Sequence, residues 1–584
     1  MKNRLFLALA TMVGFMTLAN AQPQGGFKMP KNTATYKDVN YAGDNLEAHR
    51  MDIYLPDTLT SHKVVVIIYG SAWFANNAKQ MAYLSIGKPL VDAGFAVVSI
   101  NHRSSADAKF PAQIHDVKAA VRFIRANASR YKLDTSFIGI TGFSSGGHLS
   151  SLAGVTNGVG RYTIGQKTVD IEGSVGQCLD FSSRVDAVVD WFGPVDMAHM
   201  ENCETVKDEK SPEAALMGCA PASAPDLVSL ISPISYVHAG CPRFMVIHGT
   251  ADDVVPSCQS ERFAGVLANA GRLDTLIKVN GGKHGPVTFN VETFRAMTRF
   301  FTREATRSVV VEEGGLGQYP AVMRDEVTLP AHTVFVPQDL TPFNAQNPLP
   351  VLVWGNGACT NSPWEHFKFL NEIASHGYLV LATGYIPMEE VPYRGPMSTT
   401  GQQIESIDWA IGQNRNPESP FYGRIDTAHI CVAGMSCGGL QTLYNCADPR
   451  ISALMVCNSG LFKMENAVRA MPGMPMPQKS KLAEIHTPVL YILGGESDIA
   501  YVNGMDYFSK ITLVTAAVAN FPVGHGGTYR QPHGGEFSVV ATAWLDWQLK
   551  GSKEGAKMFL GRKCLLLQRE GWTLEKNRLF DKLK

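Results

Sequence analysis

Short apolar runs that do not alternate with polar residues punctuate this chain, and each ends at a glycine or a turn. Val64-Val65-Val66-Ile67-Ile68-Tyr69-Gly70 comes first, then Gly94-Phe95-Ala96-Val97-Val98-Ser99-Ile100 and Phe137-Ile138-Gly139-Ile140-Thr141. A strand buried on both faces reads this way, because neither face carries polar positions. The same order returns in the second half. Pro350-Val351-Leu352-Val353-Trp354-Gly355 is followed by Gly377-Tyr378-Leu379-Val380-Leu381-Ala382 and by Ile430-Cys431-Val432-Ala433. Helix-like stretches separate the runs. Strands alternating with helices predict βαβ units and a mostly parallel sheet. The fold class expected is therefore α/β, with two tandem doubly wound domains.

The predicted boundary follows a terminal helix ending at Ala305. Residues 27–305 form the first domain, 306–318 a loose linker (Val309-Val310-Val311, then Glu312-Glu313-Gly314-Gly315), and 319–584 the second domain. Val327–Val336 reads as the opening strands of that second domain. Before all of this, Lys2 and Arg4 precede an apolar stretch from Leu5 to Leu18 and the small-x-small triplet Ala19-Asn20-Ala21. That is the layout of a signal peptide over residues 1–21, cleaved near Ala21-Gln22, so the chain is expected to be exported to a periplasm or the medium.

Composition narrows the partners. Of 584 residues, 45% are hydrophobic, and 52 Lys+Arg balance 52 Asp+Glu. That supports large cores and provides no net charge to draw a nucleic acid or a membrane surface. The 11 cysteines are too sparse for a disulfide scaffold and show no zinc-type spacing. One or two bridges, with Cys203–Cys219 and Cys241–Cys258 as candidates, suffice.

The chemistry begins at Thr141-Gly142-Phe143-Ser144-Ser145-Gly146-Gly147-His148, which reads as strand, GxSxG, helix. A serine lifted on so sharp a turn needs small neighbours, because side chains there would strike the adjoining strand and helix. The acid follows a buried strand, Arg243–Gly249, in Thr250-Ala251-Asp252-Asp253; Asp252 is preferred to Asp253. The base is His284 in Gly281-Gly282-Lys283-His284-Gly285, with His248 and His148 expected to be structural. Backbone N–H groups of Ser71 and Ser145 are the expected oxyanion donors. An insertion over 195–240 is expected either to cover the site as a lid or to pack on the surface of the domain.

The second half repeats the set. Gly434-Met435-Ser436-Cys437-Gly438-Gly439 is another elbow. Asp498, with Glu496 in reserve, is the acid. His525, with His533 in reserve, is the base. Asn356 and Cys437 supply the oxyanion N–H groups, and Cys437 is expected to be a small buried residue.

The stretch from Tyr41 to about Phe301 resembles the α/β-hydrolase esterases grouped with acetyl-xylan and feruloyl esterases and with hormone-sensitive-lipase-like enzymes. Phe110–Ala120, the first elbow, Ser232-Pro233-Ile234-Ser235 and His248–Asp252 carry that resemblance. Tyr69-Gly70-Ser71 replaces the His-Gly-Gly usual at the oxyanion loop, which bears on loop conformation and acyl-pocket shape. Residues 320–550 resemble the dienelactone-hydrolase and polyester-hydrolase-like branch. The resemblance implies a serine carboxylic-ester hydrolase acting on acetyl or feruloyl groups of plant hemicellulose, without metal or organic cofactor. Two readings compete with it. One is a prolyl-oligopeptidase-type serine peptidase, which only a short stretch ahead of the first strand disfavours. The other is a non-catalytic, carbohydrate-binding duplicate in place of one active domain.

Overall fold

The computed structural model describes residues 35–57, 60–387, 395–460 and 478–583, so the signal segment 1–21 lies outside the described residues. The chain divides after Ala305 into two units. In the first, the strands are β1 (Thr35–Asn40), β2 (Arg50–Tyr54), β3 (His62–Ile68), β4 (Ala96–Ile100), β5 (Leu133–Phe143), β6 (Arg161–Ile164), β7 (Lys167–Asp170), β8 (Ala187–Trp191), β9 (Arg243–Gly249) and β10 (Leu273–Val279). Eight of them form one sheet in the order β1-β2-β4-β3-β5-β8-β9-β10. Pairing is parallel from β4 through β10 and antiparallel at β1 and β2. Every residue of β3 is buried, as expected of a strand covered on both faces.

The second unit contains β11 (Ser308–Val310), β12 (Ala321–Arg324), β13 (His332–Pro337), β14 (Leu349–Gly355), β15 (Leu379–Thr383), β16 (Ile425–Met435), β17 (Ala453–Cys457), β18 (Val489–Leu493), β19 (Ala516–Asn520) and β20 (Thr573–Lys576), all in one sheet. Alternate residues of its central strands enter different cores. Leu352, Trp354, Val380 and Ala433 belong to one cluster. Val351, Val353, Leu381 and Val432 belong to the other. Period-two alternation therefore sends apolar side chains to both faces, which is why the runs show no polar positions. No helix of the described residues is long and apolar enough to cross a membrane.

Three details differ from expectation. The stretch 306–318 is not a loose linker: β11 pairs with β12 and Val311 is buried in the core, because a β-branched run beside an open sheet edge completes the ladder. Val327–Val336 is not continuous strand, since the chain turns at Pro330 and Ala331 (φ 56°) and only His332–Pro337 is extended. Segment 195–240 is a packed part of the first unit, with Met197, Met200, Leu216, Leu230 and Ile231 in its core.

The cysteine pairing also differs. Cys203 bonds to Cys258 and Cys359 to Cys437, while Cys219 and Cys241 are free thiols. The insertion folds back onto the helix Cys258–Asn269, which brings together cysteines far apart in sequence.

Candidate functional site

Each elbow serine sits where a sheet strand ends and a helix begins. Ser144 (φ 56°, ψ −125°) lies between β5 and the helix Ser145–Val155. Ser436 (φ 52°, ψ −114°) lies between β16 and the helix Cys437–Asn445. This backbone region costs a non-glycine residue about 1–3 kcal/mol, so the surroundings must enforce it. One restraint is the same in both: Ser144 N–H donates to Trp191 O at 2.9 Å, and Ser436 N–H to Cys457 O at 2.9 Å. A second is close approach. A methyl on Gly146 would strike the carbonyl of Ile68, and one on Gly438 the carbonyl of Gly355.

At the second elbow the three chemical types are joined without a gap. His525 Nε2 lies 3.1 Å from Ser436 Oγ. His525 Nδ1 lies 2.6 Å from Asp498 Oδ1. A carboxylate only accepts, so Nδ1 carries the proton and the Nε2 lone pair faces the serine hydroxyl. Asp498 Oδ2 accepts from Asn458 Nδ2 at 2.7 Å and from Gly494 N–H at 3.0 Å, while Oδ1 also accepts from Ala500 N–H at 2.9 Å. Burial pushes the Asp498 pKa up, but the bonds from His525, Ala500, Gly494 and Asn458 outweigh it and hold the carboxyl below its ordinary range.

In the first unit, His284 Nδ1 lies 2.8 Å from Asp252 Oδ2. Asp252 Oδ1 accepts from the N–H groups of Val254 and Val255 at 2.9 and 3.0 Å. Its Oδ2 also faces His248 Nε2 at 3.4 Å. Burial raises the Asp252 pKa, yet the two histidines lower it by more, leaving the carboxyl well below its usual range. His248 is fixed elsewhere, with Nδ1 at 2.6 Å from Ser260 Oγ and Nε2 at 3.0 Å from Val255 O. The ring of Phe192 lies 4.7 Å from that of His284 and limits its tilt.

The loops facing the two elbows share one conformation. Phe74 N–H donates to Ser71 O at 3.0 Å, and Thr360 N–H to Gly357 O at 3.0 Å. Between them, Ala72 and Trp73 (φ 49° and 61°) match Ala358 and Cys359 (φ 51° and 49°). Successive left-handed residues turn their N–H groups to one side, a geometry that receives negative charge. This match pairs Ser71 with Gly357 and Gly70 with Asn356, so Ser71 and Asn356 are not equivalent positions. The Ser71 N–H, expected to face an oxyanion, instead donates to Ser145 Oγ at 2.8 Å, because the hydroxyl of the residue after the nucleophile lies within its reach. Asn356 braces its loop from the side chain, with Nδ2 donating to Thr360 O at 3.0 Å and Thr383 O at 2.6 Å. Cys437 is buried in a disulfide with Cys359.

The other histidines are placed away from the serines. His148 is buried on the elbow helix, with Nε2 at 2.8 Å from Ile231 O and Nδ1 accepting from Trp73 Nε1 at 3.3 Å; burial pushes its pKa down to about 4. His533 faces Glu372 at 3.3 Å. Sequence reasoning missed Glu365, whose pKa burial raises while Arg530 and His525 pull it back, and Trp364, whose ring carries Arg530 at 5.1 Å. It also missed Asn458. None of these has a motif; only the tertiary fold brings Asn458 to Asp498, and Glu365 within the electrostatic reach of His525. Among the described residues, no group of three or more His, Cys, Asp or Glu could hold a metal ion.

Comparison with known proteins agrees with this division. The BD-FAE family model matches residues 51–267, and the PET hydrolase-like model matches residues 361–512. Esterase LipQ of Mycobacterium tuberculosis is 33% identical over 241 residues, covering 41% of this chain and 54% of that protein. The chain spans about half the length of the curated relatives it matches. Among solved structures, a bifunctional GH43-CE protein of Bacteroides eggerthii is 64% identical, covering 48% of this chain and 36% of that one, with a TM-score of 0.46. A truncated carbohydrate esterase from gut microbiota is 59% identical, covering 47% of this chain and 96% of that one, also with a TM-score of 0.46. With a BD-FAE-type first half and a PET-hydrolase-like second half, each folded around its own serine elbow, the chain is a tandem member of the α/β-hydrolase esterases.

Proposed function

We propose that the chain is an exported serine carboxylic-ester hydrolase with two active sites, removing acetyl or feruloyl groups from plant hemicellulose. The observation that carries the reading is the unbroken relay Ser436–His525–Asp498, at 3.1 and 2.6 Å. His525 takes the Ser436 proton as Oγ attacks the ester carbonyl. The oxyanion is held by the Cys437 N–H and by N–H groups of the turn after β14, at about 3–4 kcal/mol for a donor. His525 then protonates the leaving alcohol, and water releases the acid by the same route reversed. Ser144, His284 and Asp252 act alike in the first unit, with N–H groups of Ser145 and of the turn after β3. Support for the substrate class is the resemblance carried by Phe110–Ala120, the first elbow and His248–Asp252, together with the BD-FAE match. Support for export is the charged, apolar and small-x-small order of residues 1–21.

The test is hydrolysis of 4-nitrophenyl acetate, methyl ferulate and acetylated xylan by the parent, Ser144→Ala, Ser436→Ala and the double variant. Each single variant is expected to lose at least about 10⁴-fold in kcat on the substrate of its own site. A double variant as active as the parent would overturn the reading.

A further inference from the structure

In both units the residue after the nucleophile is tied to the facing loop, but by different chemistry. In the first, Ser145 Oγ accepts the N–H of Ser71 at 2.8 Å. The left-handed turn there is anchored by Trp73, 2% exposed, whose Nε1 donates to His148 Nδ1 at 3.3 Å. In the second, the position matching Trp73 is Cys359 and the position matching Ser145 is Cys437, and the two are bonded to each other with Cα atoms 5.1 Å apart. Cys359 has too small a side chain to wedge the turn as an indole does. Its carbonyl is held separately, accepting from Ser398 N–H at 2.7 Å and Ser398 Oγ at 3.1 Å.

We propose that the Cys359–Cys437 disulfide is a positioning element of the second active site: it clamps the turn Gly357–Cys359 against the elbow, so that the N–H groups on the two sides of Ser436 converge on one oxyanion. This rests on Ser436 being a working nucleophile. The clamp joins two segments that each carry candidate donors, and Cys437 supplies one itself. A donor displaced by a fraction of an ångström loses most of its benefit, because oxyanion stabilisation depends on preorganised geometry. The Ser398 bonds hold the Cys359 carbonyl independently of the sulfurs, so when the sulfurs part the loop stays folded but the turn is no longer drawn against Cys437, and the effect falls on turnover ahead of folding. The first site makes the equivalent tie with a hydrogen bond and does not depend on a disulfide at this place. The Cys203–Cys258 bond belongs to the insertion and the helix after the acid loop of the first unit.

The experiment uses the full chain carrying Ser144→Ala, so that only Ser436 turns over 4-nitrophenyl acetate. Measurable turnover, and covalent labelling of Ser436 by a fluorophosphonate, establish first that the second site works; a silent protein refutes the underlying reading. Cys359→Ser/Cys437→Ser is then added. The expected result is a fall in kcat of about 10–100-fold with KM within about threefold, and equally slowed labelling. Cys203→Ser/Cys258→Ser in the same background is expected to keep second-site kcat. If the Cys359/Cys437 variant fails to fold by circular dichroism, the Cys203→Ser/Cys258→Ser protein is reduced with dithiothreitol instead. The dithiol supplies two electrons, the S–S bond becomes two thiols and the reagent its cyclic disulfide. Turnover should then fall, and return on reoxidation. A kcat within twofold of the parent after either treatment would overturn the proposal.

Discussion

The two elbows of this chain share a backbone and differ in what surrounds it. Phe192 and Asn458 hold the same place, both with φ 42° and both donating their N–H to the next strand at 2.8 Å. Phe192 lies against the His284 ring, whereas Asn458 donates to Asp498 and accepts from Tyr529 OH at 2.6 Å. The first acid is shared by two histidines; the second is shared by a histidine and an amide. Among the described residues, the serine–histidine bond is present at Ser436 and is not made at Ser144. Catalytic bonds often tighten only with substrate bound, so this is a difference between the two resting sites. The lesson is that the turn geometry is the same in both units, while the groups that hold the histidine, the acid and the facing loop differ.

That comparison can be broken most directly at the acids. Asp252→Asn and Asp498→Asn should each lower kcat by about 10⁴-fold at their own site, because the histidine loses the partner that fixes its tautomer. Steady-state rates in the Ser436→Ala and Ser144→Ala backgrounds, respectively, check this. If either variant instead silenced the other site, the two units would not be independent catalysts.

A smaller effect tests whether the turns are equally constrained. Gly146→Ala and Gly438→Ala each place a methyl against a backbone carbonyl that cannot move without disturbing β3 or β14. Each should cost about 3 kcal/mol or more. Urea unfolding followed by far-UV circular dichroism should show only the unit carrying the substitution melting earlier.

The smallest effect sharpens the contrast beneath the elbows. Asp190 pairs in register with Gly142, and its counterpart beside Gly434 is the buried Val456. Burial raises the Asp190 pKa to about 6, with Gly193 N–H and His248 pulling it partly back. A folded-state pKa above the unfolded one means the ionised form weakens the fold. The penalty is absent well below pH 3.8, grows as pH rises towards 6 and is complete above it. Asp190→Asn keeps an oxygen for Gly193 and removes the charge. It should raise stability by on the order of 1–3 kcal/mol at pH 7.5 and by little at pH 4, read from melting temperatures at the two pH values.

Much of the fold was legible in the amino-acid order because burial leaves its mark on residues adjacent in the chain. Runs such as Val64–Ile68 and Val351–Val353 have only one way to hide every side chain, between two layers of helix. The elbow serines were equally plain, since only glycines allow the approach of helix and strand around Ser144 and Ser436. The structure places Asp252 on His284 and Asp498 on His525, the pairs selected from strand-end loops. The edge strand β11 was not legible, because so short a run as Ser308–Val310, ahead of Glu312-Glu313-Gly314-Gly315, carries no strand signal of its own until a sheet edge is there to receive it.

What the sequence determined by itself, then, is the repeated α/β plan and the residue types at each elbow. Steric demand and burial act there on neighbours in the chain. Only the tertiary structure decided the partners that meet across it: Cys359 with Cys437, Cys203 with Cys258, Asn458 with Asp498, and Ser71 with Ser145. These pairings depend on where loops from different strands converge, and a side chain's own neighbours carry no information about that convergence.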